Sequence, residues 1–271
     1  MLIDMHTHTN YSDGLYSPKD LIDKAIEKKL NGISITDHDT IDALEIAVDY
    51  AKTKVDFTLI PGIEFGCECD NKEVHLLGYF VDYNNPELIE ATVKLKKSRI
   101  NRGEKMVEKL VKLGLSINVE DVKKLAKDDY IGRPHIARAL INKKYVKSID
   151  EAFDKYLKKG APAYVERFQL SISDSIKLIK DMKGISVLAH PALIGDEKII
   201  NHVISLGIDG IECYHSKQNK EQTNLLLKIA KDSNLIVTGG SDYHGDTNIL
   251  GEYYTNLNDS LILKRRVLND Q

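Results

Sequence analysis

The sequence predicts an α/β protein with a parallel sheet, interrupted once by a helical insertion. Three observations carry this reading. Short apolar runs alternate with amphipathic segments of helix length in the first and last thirds of the chain, the pattern of βαβ units. Those runs are too short and too uniformly apolar to keep one face in water. Between residues 85 and 164 the alternation stops, and every segment reads as helix.

Each element follows in order. Residues 2–5 make a brief strand, and a helix covers about 18–30, with Pro18 in the first turn where its missing N–H has no partner to lose. Residues 32–36 are the second strand, 41–53 the second helix, and 57–60 a third strand that Pro61-Gly62 is expected to stop. Residues 74–81 form a further strand, a candidate hairpin partner for 63–69. Helices are expected within the insertion at 86–114, 119–127, 134–143 and 149–157. The alternation then resumes: helix 172–183, strand 185–188, helix 196–206, strand 208–213, helix 217–233 and strand 235–238. The chain thus divides into an α/β unit made of residues 1–84 and 165–271 and a helical insertion of residues 85–164.

Composition excludes several classes. The chain has 271 residues, 42% hydrophobic and 29% charged, which is ordinary for a soluble globular protein. No apolar run approaches the roughly 18–20 residues of a membrane span. Three cysteines are too few for a disulfide framework, which points to a reducing compartment. The chain opens Met-Leu-Ile-Asp-Met-His-Thr-His, without the basic and apolar regions of a leader, so a cytoplasmic location is expected. No membrane contact and no stable protein partner is implied.

The 9 histidines are not scattered. His6, His8, His38, His75, His190, His215 and His244 lie in or just after predicted strands, mostly at their C-terminal ends. Asp13, Asp37, Asp39, Glu64 and Asp242 lie at the same ends. In parallel α/β folds those ends converge on one face, so residues distant in sequence meet there. Imidazoles and carboxylates without thiolates suit Zn, Mn, Fe and similar divalent ions. The set exceeds the coordination needs of one ion, and two to three are expected.

In order along the chain stand Asp4-Met-His6-Thr-His8, Thr36-Asp37-His38-Asp39, Pro61-Gly62-Ile-Glu64, His75-Leu-Leu-Gly78, Ala189-His190-Pro191 and Gly240-Ser-Asp242-Tyr-His244-Gly245. This series resembles the motifs of the PHP (polymerase and histidinol phosphatase) family of metal-dependent phosphoesterases. It is most similar to the branch of nucleoside 3′,5′-bisphosphate phosphatases and 5′-to-3′ exoribonucleases acting on short RNA. That branch also inserts a small helical domain, and Gly132-Arg133-Pro134-His135 resembles its substrate element. The resemblance implies a distorted (β/α)7 barrel carrying a helical insertion domain.

The resemblance also implies a ligand set. One ion falls to His6, His8, Glu64 and Asp242, with Glu64 bridging to a second ion on His75 and His190; a third falls to Asp13, His38 and His244. The sequence departs at Asp13, where some relatives carry histidine. Mn, Fe or Zn are the expected metals, with Mg also compatible. The implied reaction is phosphate-ester hydrolysis by metal-activated water on a small phosphorylated substrate, a nucleotide or a short RNA end. His215 and His135 are candidates both for binding substrate and for protonating the leaving group, and Arg133 for gripping a second phosphate bidentately.

Two alternatives remain open on sequence alone. One is a histidinol-phosphate phosphatase or another metal hydrolase; the other is a non-catalytic, regulatory metal-binding module. Other features read as structural: Cys67 and Cys69 as strand residues without partner thiols, and His202 as a helix-surface residue. Tyr11, Tyr214 and Tyr243 suit either base stacking or rim packing. Net charge is only −3, yet residues 94–147 hold 16 Lys+Arg and 6 Asp+Glu, a net of +10, so the rest of the chain carries −13. A basic lobe beside a metal-lined pocket suits a small polyanion.

Overall fold

The computed structural model describes residues 1–259, apart from 71, 128, 129 and 247, together with residue 263. Strands β1 (Leu2–Thr7), β2 (Gly32–Ile35) and β3 (Thr58–Cys69) pair in parallel. Helices α1 (Pro18–Glu27) and α2 (Leu44–Ala51) form the two crossovers between them. Ser17 caps α1 by accepting the Asp20 N–H, and Leu21, Ile22 and Ala25 turn its apolar face onto the sheet.

β3 does not stop at Pro61-Gly62 as the sequence suggests. Pro61 ends the pairing with β2, opposite Ile35, and Gly62 begins an antiparallel ladder with β4 (Lys72–Tyr79), opposite Tyr79. A proline is tolerated at this change of partner, where its carbonyl still accepts the Val81 N–H. Gly62 is required there, since a Cβ would lie 2.7 Å from Ser34 Oγ and 2.8 Å from Thr36 Cγ2. The expected hairpin is therefore present, but as one long strand folding back on β4.

After the insertion, β5 (Ile185–Leu188), β6 (Gly210–Tyr214) and β7 (Ile236–Gly239) complete the sheet, with β8 (Thr255–Asn256) antiparallel to β1. The strand order is β7-β6-β5-β4-β3-β2-β1-β8. β4 runs antiparallel to both neighbours, so the sheet is mixed rather than wholly parallel. Thr255 bonds both the N–H and the C=O of Gly239, drawing β8 onto β7 and nearly closing a barrel. Ile3, Met5, Ile60, Leu77, Tyr79 and Val187 fill the interior, while alternate residues such as Ile33, Ile35, Ile63 and Ile211 pack outward with the helices.

Helices α3 (Pro86–Lys112), α4 (Val119–Lys123), α5 (Arg133–Asn142) and α6 (Ile149–Ala152) follow β4, and α6 continues as a π-helical turn, Phe153–Leu157. Asn85 and Pro86 start α3. Its first half places Leu88 and Leu95 in the layer between the sheet and its helices; its second half places Met106 and Leu110 in a separate cluster with Ile131, Ile136 and Leu140. Around the remaining strands lie α7 (Ile172–Asp181), α8 (Glu197–Ser205) and α9 (Lys220–Asp232). Among the described residues no helix is long and apolar enough to cross a membrane.

Candidate metal centre

The register of β1 against β2 shifts between Asp4 and Thr7. Ile3 and Met5 face the interior by ordinary alternation, and the bulge then re-aims the chain so that His6 and His8 also reach it. Glu64 and His75 arrive from β3 and β4. His38, His190, His215, Asp242 and His244 come from the segments after β2, β5, β6 and β7, and Asp13 from the segment after β1.

Glu64 is fully buried at the centre. Its Oε2 lies 2.8 Å from His38 Nδ1 and 3.4 Å from the Nε2 atoms of both His6 and His8. Its Oε1 lies 2.8 Å from His75 Nδ1 and 3.1 Å from His190 Nε2. Asp242 Oδ1 is 3.1 Å from His8 Nε2 and 3.4 Å from His6 Nε2. Asp13 reaches His244 Nε2 at 3.2 Å and His38 Nε2 at 3.7 Å. All nine residues expected to hold metal meet in one cluster. Ligand atoms lie within 4.8 Å of one another in four overlapping groups: His8, Asp13, His38 and His244; His6, His8 and Glu64; His38, Glu64 and His75; and His6, Glu212 and His215.

The donors fit cations. His6 Nε2, both nitrogens of His8, Asp13 Oδ1, His38 Nδ1, Glu64 Oε2 and His215 Nε2 are buried without a hydrogen bond, although several lie within contact distance of one another. Buried polar atoms left this way are costly, and here they face shared points instead of donors. The charges agree. Burial opposes ionisation of Glu64, yet His38, His75 and His6 hold it well below the usual carboxylate range. Asp13 and Asp242 are likewise held low against burial, by His38 and His244 and by His6 and His244 respectively. Against the same burial, Asp13 and Asp242 push His244 up to about 10, and Glu64 pushes His75 up to about 10. Burial and the neighbouring His244 drive His8 down to about 3. Without a cation, protons held on His75 and His244 balance the ionised carboxylates; divalent ions would replace those protons.

Supporting carboxylates emerge that were not singled out as site residues. Glu212, fully buried, lies 3.1 Å from His6 Nδ1 and accepts the His190 N–H at 2.8 Å. Its one sequence signal is its place in Glu212-Cys-Tyr-His215. Asp4 accepts from Ser241 N–H and Oγ–H and from Gly251 N–H, tying β1 to the segment that carries Asp242. Asp37 accepts from Thr9 and Ser12 and so shapes the approach to Asp13. His190, Asp39 and Asp242 have φ of 28°, 54° and 53°, a left-handed conformation unusual outside glycine.

His215 accepts the Lys217 N–H on Nδ1 and points Nε2 to within 3.5 Å of Asp242 Oδ2. His135 is buried in the first turn of α5, and its Nδ1 accepts the Gly132 N–H at 3.1 Å. Burial pushes it down to about 4. Arg133 is not a free fork: Nη2 lies 2.6 and 2.7 Å from the two oxygens of Glu73, which in turn reaches His75 Nε2 at 3.4 Å. Much of the insertion's positive charge is engaged in the same manner. Arg99 pairs with Asp39, which Arg167 from just beyond the insertion also reaches, Arg138 with Asp246 and the Asp13 carbonyl, Lys159 with Glu68, and Lys96 with Asp42. Tyr130 donates to the His38 carbonyl. Tyr243 stacks on Tyr16, a packing role, while Tyr214 is exposed and Tyr11 lies under Lys127. Cys67 is buried, Cys69 partly so, and His202 is exposed on α8.

The PHP domain profile matches residues 4–167. This chain belongs to the PHP domain family. It is 29% identical over 250 residues to the 5′-3′ exoribonuclease Rnm of Escherichia coli, covering 90% of this chain and 85% of that protein. It is 28% identical over 251 residues to the 3′,5′-nucleoside bisphosphate phosphatase of Chromobacterium violaceum, covering 89% and 87%. Among solved structures, a Bifidobacterium adolescentis protein described as a metal-dependent phosphoesterase superposes with a TM-score of 0.88 at 30% identity, over 98% of this chain and 95% of that one. The nearly closed, mixed barrel is thus the PHP fold, as the sequence motifs imply.

Proposed function

We propose that this PHP-family metal-dependent phosphoesterase hydrolyses phosphate esters of nucleotides, as a nucleoside 3′,5′-bisphosphate 3′-phosphatase, a 5′-3′ exoribonuclease on short RNA, or both. The carrying observation is the convergence on buried Glu64 of imidazoles from His6, His8, His38, His75 and His190, with orphaned donor atoms around it. The names of the E. coli and C. violaceum relatives support the nucleotide class. We assign His6, His8, Glu64 and Asp242 to one ion, Glu64, His75 and His190 to a second, and Asp13, His38 and His244 to a third. Mn, Fe or Zn suit this imidazole–carboxylate set, and Mg is compatible. Bound there, divalent ions would supply a nucleophilic water near neutral pH and offset charge on the phosphate.

The chain's own residues do the rest. Glu212 holds His6 through Nδ1, leaving Nε2 for the centre. His135, neutral at cytoplasmic pH and accepting through Nδ1, presents an Nε2–H donor for a phosphate or leaving oxygen. We place His135 ahead of His215 in that role, because His215 aims its Nε2 at Asp242. Arg133 binds a second phosphate by sharing or exchanging its Glu73 contact. Residues 1–84 and 165–271 act as the metal-binding barrel and 85–164 as the insertion that completes the substrate pocket, in a cytoplasmic enzyme.

A phosphate-release panel with Mn tests this reading: a nucleoside 3′,5′-bisphosphate, short 5′-phosphorylated RNA, a nucleoside monophosphate and histidinol phosphate. Release from the first two is expected. Activity confined to histidinol phosphate would move the chain to another branch, and no release with under one bound ion per chain would leave a non-catalytic module.

A further inference from the structure

On the outer face of α3, Lys94, Lys97, Asn101 and Lys105 line a groove of about 670 Å³. Their spacing puts them on one stripe of the helix. Lys94 pairs with Glu90, whereas Lys97 and Lys105 are exposed and have no partner among the described residues. The far wall carries Glu166, Arg167 and Phe168. Phe168 is 54% exposed, yet its backbone is fixed: its N–H donates to Ser98 Oγ on α3, and its carbonyl accepts from Arg167. A large ring is therefore held open to solvent beside a row of lysines.

The groove floor leads inward. Arg102 and Arg167 line both the groove and a smaller cavity of about 90 Å³ that reaches Arg133 and Glu73, and so the edge of the metal cluster at His75. Four cationic side chains against two carboxylates line that cavity, and Lys159 and Arg133 already occupy Glu68 and Glu73. Arg102 is only 5% exposed, and its Nε and Nη2 have no hydrogen-bond partner. A guanidinium keeps its charge in proteins, so this is a buried cation with two donor atoms beside a polar cavity that it lines. Gly66 belongs to the same arrangement: a Cβ there would lie 2.5 Å from Arg167 Nη2.

We propose that this groove is the track for a single-stranded RNA whose end enters the metal centre. Lys97 and Lys105 meet backbone phosphates, Phe168 stacks on a base, and Arg102 receives the phosphate that drops into the small cavity. The combination of a cationic groove with a fixed aromatic ring is the general solution for sequence-independent binding of single strands. The assignment rests on the nucleotide-phosphoesterase reading above, and it adds a surface outside the metal cluster.

Binding separates the two. The full-length, Mn-loaded protein is titrated by fluorescence anisotropy against a labelled, 5′-phosphorylated hexaribonucleotide with hydrolysis-resistant phosphorothioate links. Lys97→Ala/Lys105→Ala should raise Kd about tenfold and reduce the slope of log Kd against log salt by about 0.7 for each lysine. Phe168→Ala should also raise Kd about tenfold but leave the salt slope alone. Lys228→Ala/Lys231→Ala removes the same charge from α9 and should change neither. All are helix-surface or exposed positions, and circular dichroism checks folding. Equal losses in the two lysine pairs, no loss in the groove pair, or displacement of the RNA by an acidic phosphopeptide at lower concentration would each overturn the track. If phosphate release fails while the hexamer binds with these losses, the reaction is misassigned and the track stands.

Discussion

Glu212 Oε1 lies 3.1 Å from His6 Nδ1, and its other oxygen accepts the His190 N–H at 2.8 Å. One carboxylate from β6 therefore orients the side chain of one proposed ligand and the backbone of another. Contacts of this kind fix the ring's tautomer and typically contribute 10–100-fold, in order of magnitude, to metal affinity. Glu212→Gln keeps the shape and should lower metal affinity by about tenfold or more, read by competition with a fluorescent chelator. Unchanged affinity in a folded Glu212→Gln protein would show that His6 is held by its strand alone.

Asp39 next to His38 makes the second test. It is fully buried, reaches Arg99 at 2.6 Å and Arg167 at 2.8 Å, and accepts the Gly66 N–H. Those guanidiniums outweigh burial and hold its carboxyl below the usual range. Asp39→Ala strands both arginines and should cost about 3–5 kcal/mol in urea unfolding at pH 7. A loss under about 1 kcal/mol would mean that water reaches the guanidiniums and replaces the pair.

The histidine–carboxylate cluster was legible because its residue types are rare and sit where parallel strands end. His6, His8, His38, His190 and Asp242 each follow an apolar run whose direction is readable from its neighbours. The helices of the insertion were legible from periodicity, with Asn85-Pro86 marking the start of α3. What failed was pairing. Pro61-Gly62 has the composition of a strand end, yet it marks a change of partner, which depends on β4. The bulge in β1 leaves no composition signal. Arg133 looked like a free phosphate fork because sequence carries no trace of Glu73 across from it, 60 residues away. Charge counting had the same defect: a net of +10 over 94–147 is real, but Asp39, Asp42, Glu73 and Asp246 consume part of it.

The cysteines give an inexpensive check on the absence of thiolate from the centre. Burial pushes the Cys67 thiol up to about 12, and burial with the adjacent Glu212 pushes Cys213 up to about 12. Reactivity follows the thiolate, so neither should react with a maleimide at pH 7.5 in the native state. Cys69, partly exposed at the end of β3, should label alone, and denaturant should release all three. Rapid native labelling of Cys213 would place solvent behind Glu212, where the structure has packed side chains.

Chelation should destabilise as well as inactivate. Ions bound only by the folded chain stabilise it by about 2.7 kcal/mol at a hundredfold excess over Kd. For a chain of this size that corresponds to a fall in Tm of roughly 5–10 °C on stripping with EDTA, reversed by Mn. Stripped and loaded proteins melting together would show that protonated imidazoles satisfy the carboxylates as well as cations do.

Arg133 is the sharpest test of substrate class, because its partner is already known. Its Nη2 holds both oxygens of Glu73, which lies against His75, so losing the arginine has two separable consequences. If Arg133 binds a second phosphate, Arg133→Ala should raise KM for a 3′,5′-bisphosphate about tenfold to a hundredfold more than KM for a monophosphate. If it serves only to hold Glu73 in place, both substrates should lose equally, and through kcat. Arg133→Lys keeps a charge but not the planar fork, and should recover little of the bisphosphate preference. Glu73→Gln completes the argument by releasing the guanidinium without removing it. It should lower KM for the bisphosphate if phosphate and Glu73 compete for one fork, whereas a KM that rises for both substrates would return Arg133 to a purely structural role.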